Sequence, residues 1–168
     1  MTRSSVVFAA VLTTTAGIGA PCLAGDFDGG YVGVVTAFGS DPVPRNTSPD
    51  HSLGAVAGYN FGIGQSTIAG VEIEANQNPD SVWGLQVFTG EVHGRAGFVF
   101  ADDFMAYGRV GTGYTFGGDG SFLWSFGGGV EYQVKEGVSV RGDAGRVDPL
   151  ADGLISQNAF RMGVLLNF

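Results

Sequence analysis

The last ten residues, AFRMGVLLNF at positions 159–168, put Phe160, Met162, Val164, Leu166 and Phe168 on one parity and Arg161, Gly163, Leu165 and Asn167 on the other. Alternate residues of a β-strand point to opposite faces, so this reads as an amphipathic strand with a nearly apolar face that ends on an aromatic side chain. The other terminus carries a different signal. Arg3 supplies a positive start, VVFAAVL at 6–12 an apolar stretch, residues 17–20 a small-residue region, and Cys22-Leu23-Ala24 a cleavage site before Gly25. That is the arrangement of a secretory signal peptide over residues 1–24. The apolar stretch falls well below the roughly 18 residues of a membrane-spanning helix, and no other run comes near that length, so any membrane insertion must use strands. The two ends together suggest an exported chain whose residues 25–168 form one β-domain in the outer membrane of a Gram-negative cell.

Composition narrows the choice. Removing Arg3 leaves 7 basic against 16 acidic residues, a net charge of −9, which argues against nucleic acid as a partner. Cys22 is the only cysteine; a lipoprotein anchor on it is the alternative to its loss with the leader, but Pro21 before it fits a lipobox poorly. A mature chain without cysteine has no disulfide and no thiolate metal site. Thirty glycines in 168 residues are well over twice the average share of about 7%. The alternation described next excludes simple disorder.

Eight segments alternate, over approximately 30–38, 53–61, 67–76, 84–100, 104–116, 122–134, 138–147 and 157–168. The connections between them take turns in length. Residues 62–66, 101–103 and 135–137 are short; those holding Asp41-Pro42-Val43-Pro44-Arg45, Asn78-Pro79-Asp80, Gly117-Gly118-Asp119-Gly120 and Asp148-Pro149-Leu150-Ala151-Asp152 are polar and mostly longer. Long and short alternating is what an antiparallel up-and-down meander across a membrane produces, with short periplasmic turns and longer outer loops. The pattern predicts an all-β, eight-stranded antiparallel transmembrane β-barrel.

Parity also assigns faces. Glu91, His93 and Arg95 oppose Val92, Gly94, Ala96, Phe98 and Phe100; Glu72 and Glu74 oppose Val71, Ile73 and Ala75; Arg141 and Asp143 oppose Val138, Val140 and Ala144. A soluble calyx would turn the apolar face inward, whereas a membrane barrel reverses this. Aromatic placement favours the membrane. Tyr59, Phe61, Phe98, Phe100, Phe104, Tyr132 and Phe168 fall beside short turns or the C-terminus, and Phe38, Phe116, Phe122 and Trp124 near long loops, like the two girdles at membrane interfaces.

The stretches GGYVGVV (29–35), GAVAGYNF (54–61), GEVHGRAGFVF (90–100), FMAYGRVGTGYTF (104–116), GGGVEYQV (127–134) and the closing AFRMGVLLNF resemble, in order and spacing, the small eight-stranded outer-membrane barrels. These are the OmpA/OmpX-type and opacity-protein-like surface antigens, often called porin-family proteins. The resemblance covers the whole mature chain. It implies that the terminal strand is read by the outer-membrane assembly machinery, with Phe160, Val164, Leu166 and Phe168 as the matching positions. No C-terminal peptidoglycan-binding domain follows, so a tethering role is not carried over.

The inward set would be Glu72, Glu74, Glu91, His93, Arg95, Arg109, Glu131, Arg141, Asp143 and Arg161. Eight strands enclose an interior just wide enough for side chains to fill, and a buried charge persists only if paired. These ten therefore read as an interlocking Arg/carboxylate network that plugs the lumen, with inward Gly111, Gly113, Gly127 and Gly129 leaving room for it. A narrow small-solute porin is the alternative. A lipid-modifying enzyme is a further one, resting on Glu91-x-His93-x-Arg95, but no serine or cysteine accompanies His93 at neighbouring inward positions, and His51-Ser52 sits in a loop. Asp26-Phe27-Asp28-Gly29 begins like a calcium loop but lacks the remaining ligands, so neither a metal nor a cofactor is called for. The reading is a non-enzymatic barrel with a structural or surface-interaction role. Its expected partners are outer-membrane lipid and lipopolysaccharide, the assembly machinery, and an extracellular partner met through the outer loops, the segment 40–52 foremost.

Overall fold

Glycine-rich stretches with apolar residues at every second position bury no helical stripe, and here they form strands throughout. The computed structural model describes residues 27–40, 51–78, 87–101, 103–116, 120–150 and 156–168; the expected leader and cleavage site lie outside them. The strands are β1 (Gly29–Ser40), β2 (His51–Gly62), β3 (Thr67–Asn78), β4 (Val87–Phe100), β5 (Phe104–Phe116), β6 (Ser121–Lys135), β7 (Val138–Pro149) and β8 (Gln157–Asn167). Each pairs antiparallel with the next, and β1 pairs with β8, so the sheet is a closed barrel. Closure matters because every strand edge left open in hydrocarbon would strand backbone groups at several kcal/mol each.

The seam between the chain ends runs to the last residue. Gly30 N–H donates to Phe168 O at 3.0 Å and Phe168 N–H donates to Gly30 O at 2.9 Å, one pair beyond the regular end of β8. Tight turns join β2 to β3, β4 to β5 and β6 to β7. In the last of these Gly137 takes φ +73°, a left-handed conformation that glycine adopts without steric cost. Both ends of the described barrel lie on the side of these turns.

Several boundaries differ from the sequence reading. His51 and Ser52 open β2 rather than lying in a loop, and the His51 ring meets Phe38 edge-on at 5.2 Å; antiparallel pairing with β1 extends the strand there. Lys135 belongs to β6, through an irregularity in register between Gln133 and Lys135. The interior of the segment 40–52, residues 41–50, lies outside the described residues, as do Asp80, Asp119 and Asp152 of the other long connections.

The outward face is apolar and ringed with aromatics. Near the turns Tyr59 packs on Phe61 at 4.8 Å and Phe104 on Tyr132 at 4.6 Å. Near the opposite end Tyr114 packs on Phe122 at 4.8 Å and Trp124 on Phe126 at 5.2 Å. Offset and edge-on ring contacts of this kind add to area burial. The interior holds two small apolar clusters, Phe27 with Ile68, Met105 and Tyr107 at the turn end, and Tyr31 with Val35, Val56 and Leu165. The charges adjoin both, through Tyr31 on Glu72 and Tyr107 on Asp143.

Candidate functional site in the lumen

All ten charged residues assigned to the inward parity are buried, none more than 6% exposed. They come from six strands, and the antiparallel register brings them into one lattice. Glu72 on β3 is its hub. Its Oε2 accepts from Tyr31 Oη at 2.7 Å and from Arg141 Nη1 at 2.5 Å; its Oε1 lies 3.4 Å from Arg109 Nη1, and Arg95 Nη1 is 3.6 Å from Oε2. Arg109 also reaches Glu74 at 3.0 Å and Asp143 at 3.2 Å. Arg95 donates to Glu131 at 2.9 Å, and its guanidinium lies 4.2 Å from the centre of the Tyr107 ring, close enough for a cation–π contact. Arg161 sits further from its acids, 3.7 Å from Glu74, 3.7 Å from Asp143 and 3.9 Å from Glu91.

Uncharged inward residues complete the lattice, and parity gave little warning of their roles. Tyr107 Oη donates to Asp143 at 3.0 Å, Ser139 Oγ to Glu131 at 2.7 Å, and Asn76 Nδ2 to Glu74 at 2.7 Å. The missed residue that bears most on chemistry is Ser125. It lies 3.1 Å from His93 Nε2 and donates to Glu91 Oε2 at 2.9 Å, so a serine does stand beside the histidine. It comes from β6, reached through the pairings of His93 with Gly111 and Gly111 with Ser125. The three groups do not form a hydrolytic triad, which needs the acid on the ring nitrogen away from the nucleophile. Glu91 shares Nε2 with Ser125, and Nδ1 has only Glu72, 4.0 Å away.

Glu72, Glu74 and His93 bring ligand-capable atoms within 4.8 Å of one another. Both carboxylates already hold arginine nitrogens, so these positive charges occupy the place a cation would take. Asp28, the other acid noted in the sequence, accepts from the backbone N–H of Gly62 at 3.0 Å, while Phe27 beside it is buried. This is a fastening of the first described residues to β2.

Two inward glycines show why the lattice fits. A Cβ at Gly111 would run into the His93 ring, and one at Gly129 into Asp143 and the Gly142 carbonyl. Gly129→Val is expected to cost the barrel about 1–3 kcal/mol by overpacking, read as a lower urea midpoint in lipid vesicles. Gly94→Val, which points outward into open space, should stay within about 0.5 kcal/mol of the parent. Equal effects would contradict this placement of the two faces.

A closed antiparallel barrel, apolar outside, ringed by aromatics at both ends and charged within, is the architecture of a small membrane barrel. The chain belongs to the outer membrane protein beta-barrel domain family, whose model matches residues 7–168. Its fold is similar to that of Neisserial surface protein A, at 14% identity over 84% of this chain and 98% of that one, with a TM-score of 0.60. The attachment invasion locus protein Ail of Yersinia pestis is 10% identical over 84% of this chain and 99% of that one, with a TM-score of 0.62. The N-terminal β-barrel domain of Pseudomonas aeruginosa OprF is 13% identical over 82% and 97%, with a TM-score of 0.61. No curated protein matches the chain by sequence. The chain is thus an outer-membrane β-barrel of the family that includes surface proteins and porins.

Proposed function

We propose that this is a non-enzymatic surface protein of the outer membrane, exported by its leader, with a plugged lumen and a structural or surface-interaction role exercised through its outer loops. The observation that carries the reading is the lumen itself. Nine arginine and carboxylate side chains, each within ion-pair distance of an opposite charge, and His93, 3.1 Å from Glu91, come from six strands and are each at most 6% exposed, and an apolar layer of Phe27, Ile68, Met105 and Tyr107 stands below them at the turn end. Side chains held this way support a lumen closed to a continuous aqueous path. Lipid and lipopolysaccharide are partners for the apolar belt, and the assembly machinery for the terminal strand, where Phe160, Val164, Leu166 and Phe168 all face outward and exposed.

One observation favours the narrow-porin alternative. Among the described residues, buried polar atoms such as both amide atoms of Gln133, Asn60 Oδ1 and His93 Nδ1 have no partner, and such groups are ordinarily served by water. Planar-bilayer recording separates the two. The wild-type barrel is expected to be silent, and a Glu72→Ala/Arg109→Ala variant, which removes the hub and the arginine that ties it to Glu74 and Asp143, to conduct. Steady conductance from the wild type would replace the plug with the porin.

A further inference from the structure

The outward face of β7, β8 and β1 is not evenly covered. A groove of about 480 Å³ lies there, lined by Tyr132, Val140, Gly142, Phe160, Met162 and Val164 among others. It exists because Gly142 has no side chain, and a Cβ built there would meet nothing nearer than the Arg161 carbonyl at 4.0 Å. Apart from Thr36 and Arg141, the residues that line it are apolar or glycine, as a surface against acyl chains requires.

What lies above the groove tells what fills it. Moving toward the loop end, Ala144 pairs with Phe160, and one step further Arg146 pairs with Asn158. The Arg146 side chain is 50% exposed, and its Nε donates to Asp148 Oδ1 at 2.8 Å. Its two terminal nitrogens have no partner among the described residues. The other described arginines, 95, 109, 141 and 161, are buried in the lumen, and Lys135 stands at the turn end of β6. Arg146 is therefore the one described arginine on the lipid-facing parity, and it stands at the end where the outer leaflet meets the long loops. Asp148 fixes the guanidinium by Nε and leaves the forked edge of Nη1 and Nη2, the geometry that takes a phosphate through two hydrogen bonds. Arg146 lies four residue steps beyond Gly142, roughly 13 Å of strand, which is shorter than a fatty acyl chain.

We propose that this surface is a binding site for phosphorylated lipid A, with a phosphate on Arg146 and Asn158 and one acyl chain along the groove at Gly142. The site makes specific the lipid partnership proposed above and rests on that placement in the membrane. A second copy of the chain would fill the groove but bring no phosphate to the forked edge of Arg146, and an inner-leaflet headgroup would lie at the turn end, away from it.

The test uses the full mature chain folded in detergent and mixed with equal amounts of bisphosphorylated lipid A, dephosphorylated lipid A and phosphatidylglycerol, with retained lipid counted by native mass spectrometry. One molecule of lipid A is expected to be retained, preferred about tenfold over its dephosphorylated form, the discrimination of a charge-assisted hydrogen-bond pair. Arg146→Gln should abolish that preference, and Gly142→Leu, which fills the groove, should reduce retention of both forms. Equal retention of the two lipid A forms by the wild type, or variants that behave like it, would overturn the site. Retention of phosphatidylglycerol equal to that of lipid A would overturn the choice of ligand, and a two-copy species that neither lipid disperses would give the groove to a second chain. Unheated gel mobility of the same samples reads whether the barrel is folded. A folded barrel without lipid preference sinks only the site, whereas a chain that stays soluble without detergent sinks the membrane reading beneath it.

Discussion

Glu72→Gln is expected to lower the stability of the folded barrel by about 3–5 kcal/mol, the range for leaving a buried charge without its partner. The size follows from how its partners are distributed. Arg95 keeps Glu131, and Arg109 keeps Glu74 and Asp143. Among the described residues, the hydrogen bonds and the ion pair of Arg141 all go to Glu72. The substitution therefore leaves one buried guanidinium without its direct carboxylate partner, and Tyr31 loses a charged acceptor as well. Glu91→Gln should cost much less, because Glu91 is held by His93, Ser125 and a distant Arg161. The double variant Glu72→Leu/Arg141→Met removes both charges together and is expected to be more stable than Glu72→Gln, since apolar replacement of a buried pair is often neutral or better. Urea unfolding in lipid vesicles reads all three. A Glu72→Gln barrel within about 1 kcal/mol of the parent would remove Glu72 from the centre of the network.

The second large effect is expected in assembly rather than stability. Phe168→Ser should sharply reduce the heat-modifiable, folded protein recovered in outer-membrane fractions, while Arg161→Gln should leave recovery near normal. The Phe168 side chain is 76% exposed, so its loss removes little that the finished barrel buries, and its backbone pair with Gly30 needs no aromatic ring. Any large defect must then arise before the barrel is complete, when the terminal strand is recognised. Arg161 reaches three acids, none closer than 3.7 Å, so its neutralisation should mainly loosen the lumen and appear as a modest fall in the urea midpoint. Normal recovery of the Phe168 variant would leave the terminal-signal reading without support.

The period-two pattern made the eight strands and the charged face legible, because one misplaced residue would have moved a whole set of charges into lipid. Where a strand carried no charge, parity was mute. Nothing in GGYVGVV said that Tyr31 rather than Val32 faces the lumen, and Tyr31 proves to touch the hub carboxylate. Ser125 was invisible for another reason. Its proximity to His93 depends on the register of two successive strand pairs, information that a single chain does not carry locally. Arg146 broke the charge rule of its own strand, and the structure gives the reason: it stands on the outward face next to Asp148 near the loop end, where water and headgroups are within reach.

The seam between β1 and β8 has a kinetic meaning. Seven of the eight pairings join strands that are neighbours along the chain and can form locally, whereas this one unites its opposite ends. Closing so long a loop adds its entropic cost in a single step, and until it is taken the molecule is an open sheet with two bare edges, the form most prone to pair with the wrong chain. Phe168 and Gly30 complete that seam through their two backbone hydrogen bonds. Assembly of this barrel is therefore gated by its one long-range strand pairing rather than by the growth of any single hairpin.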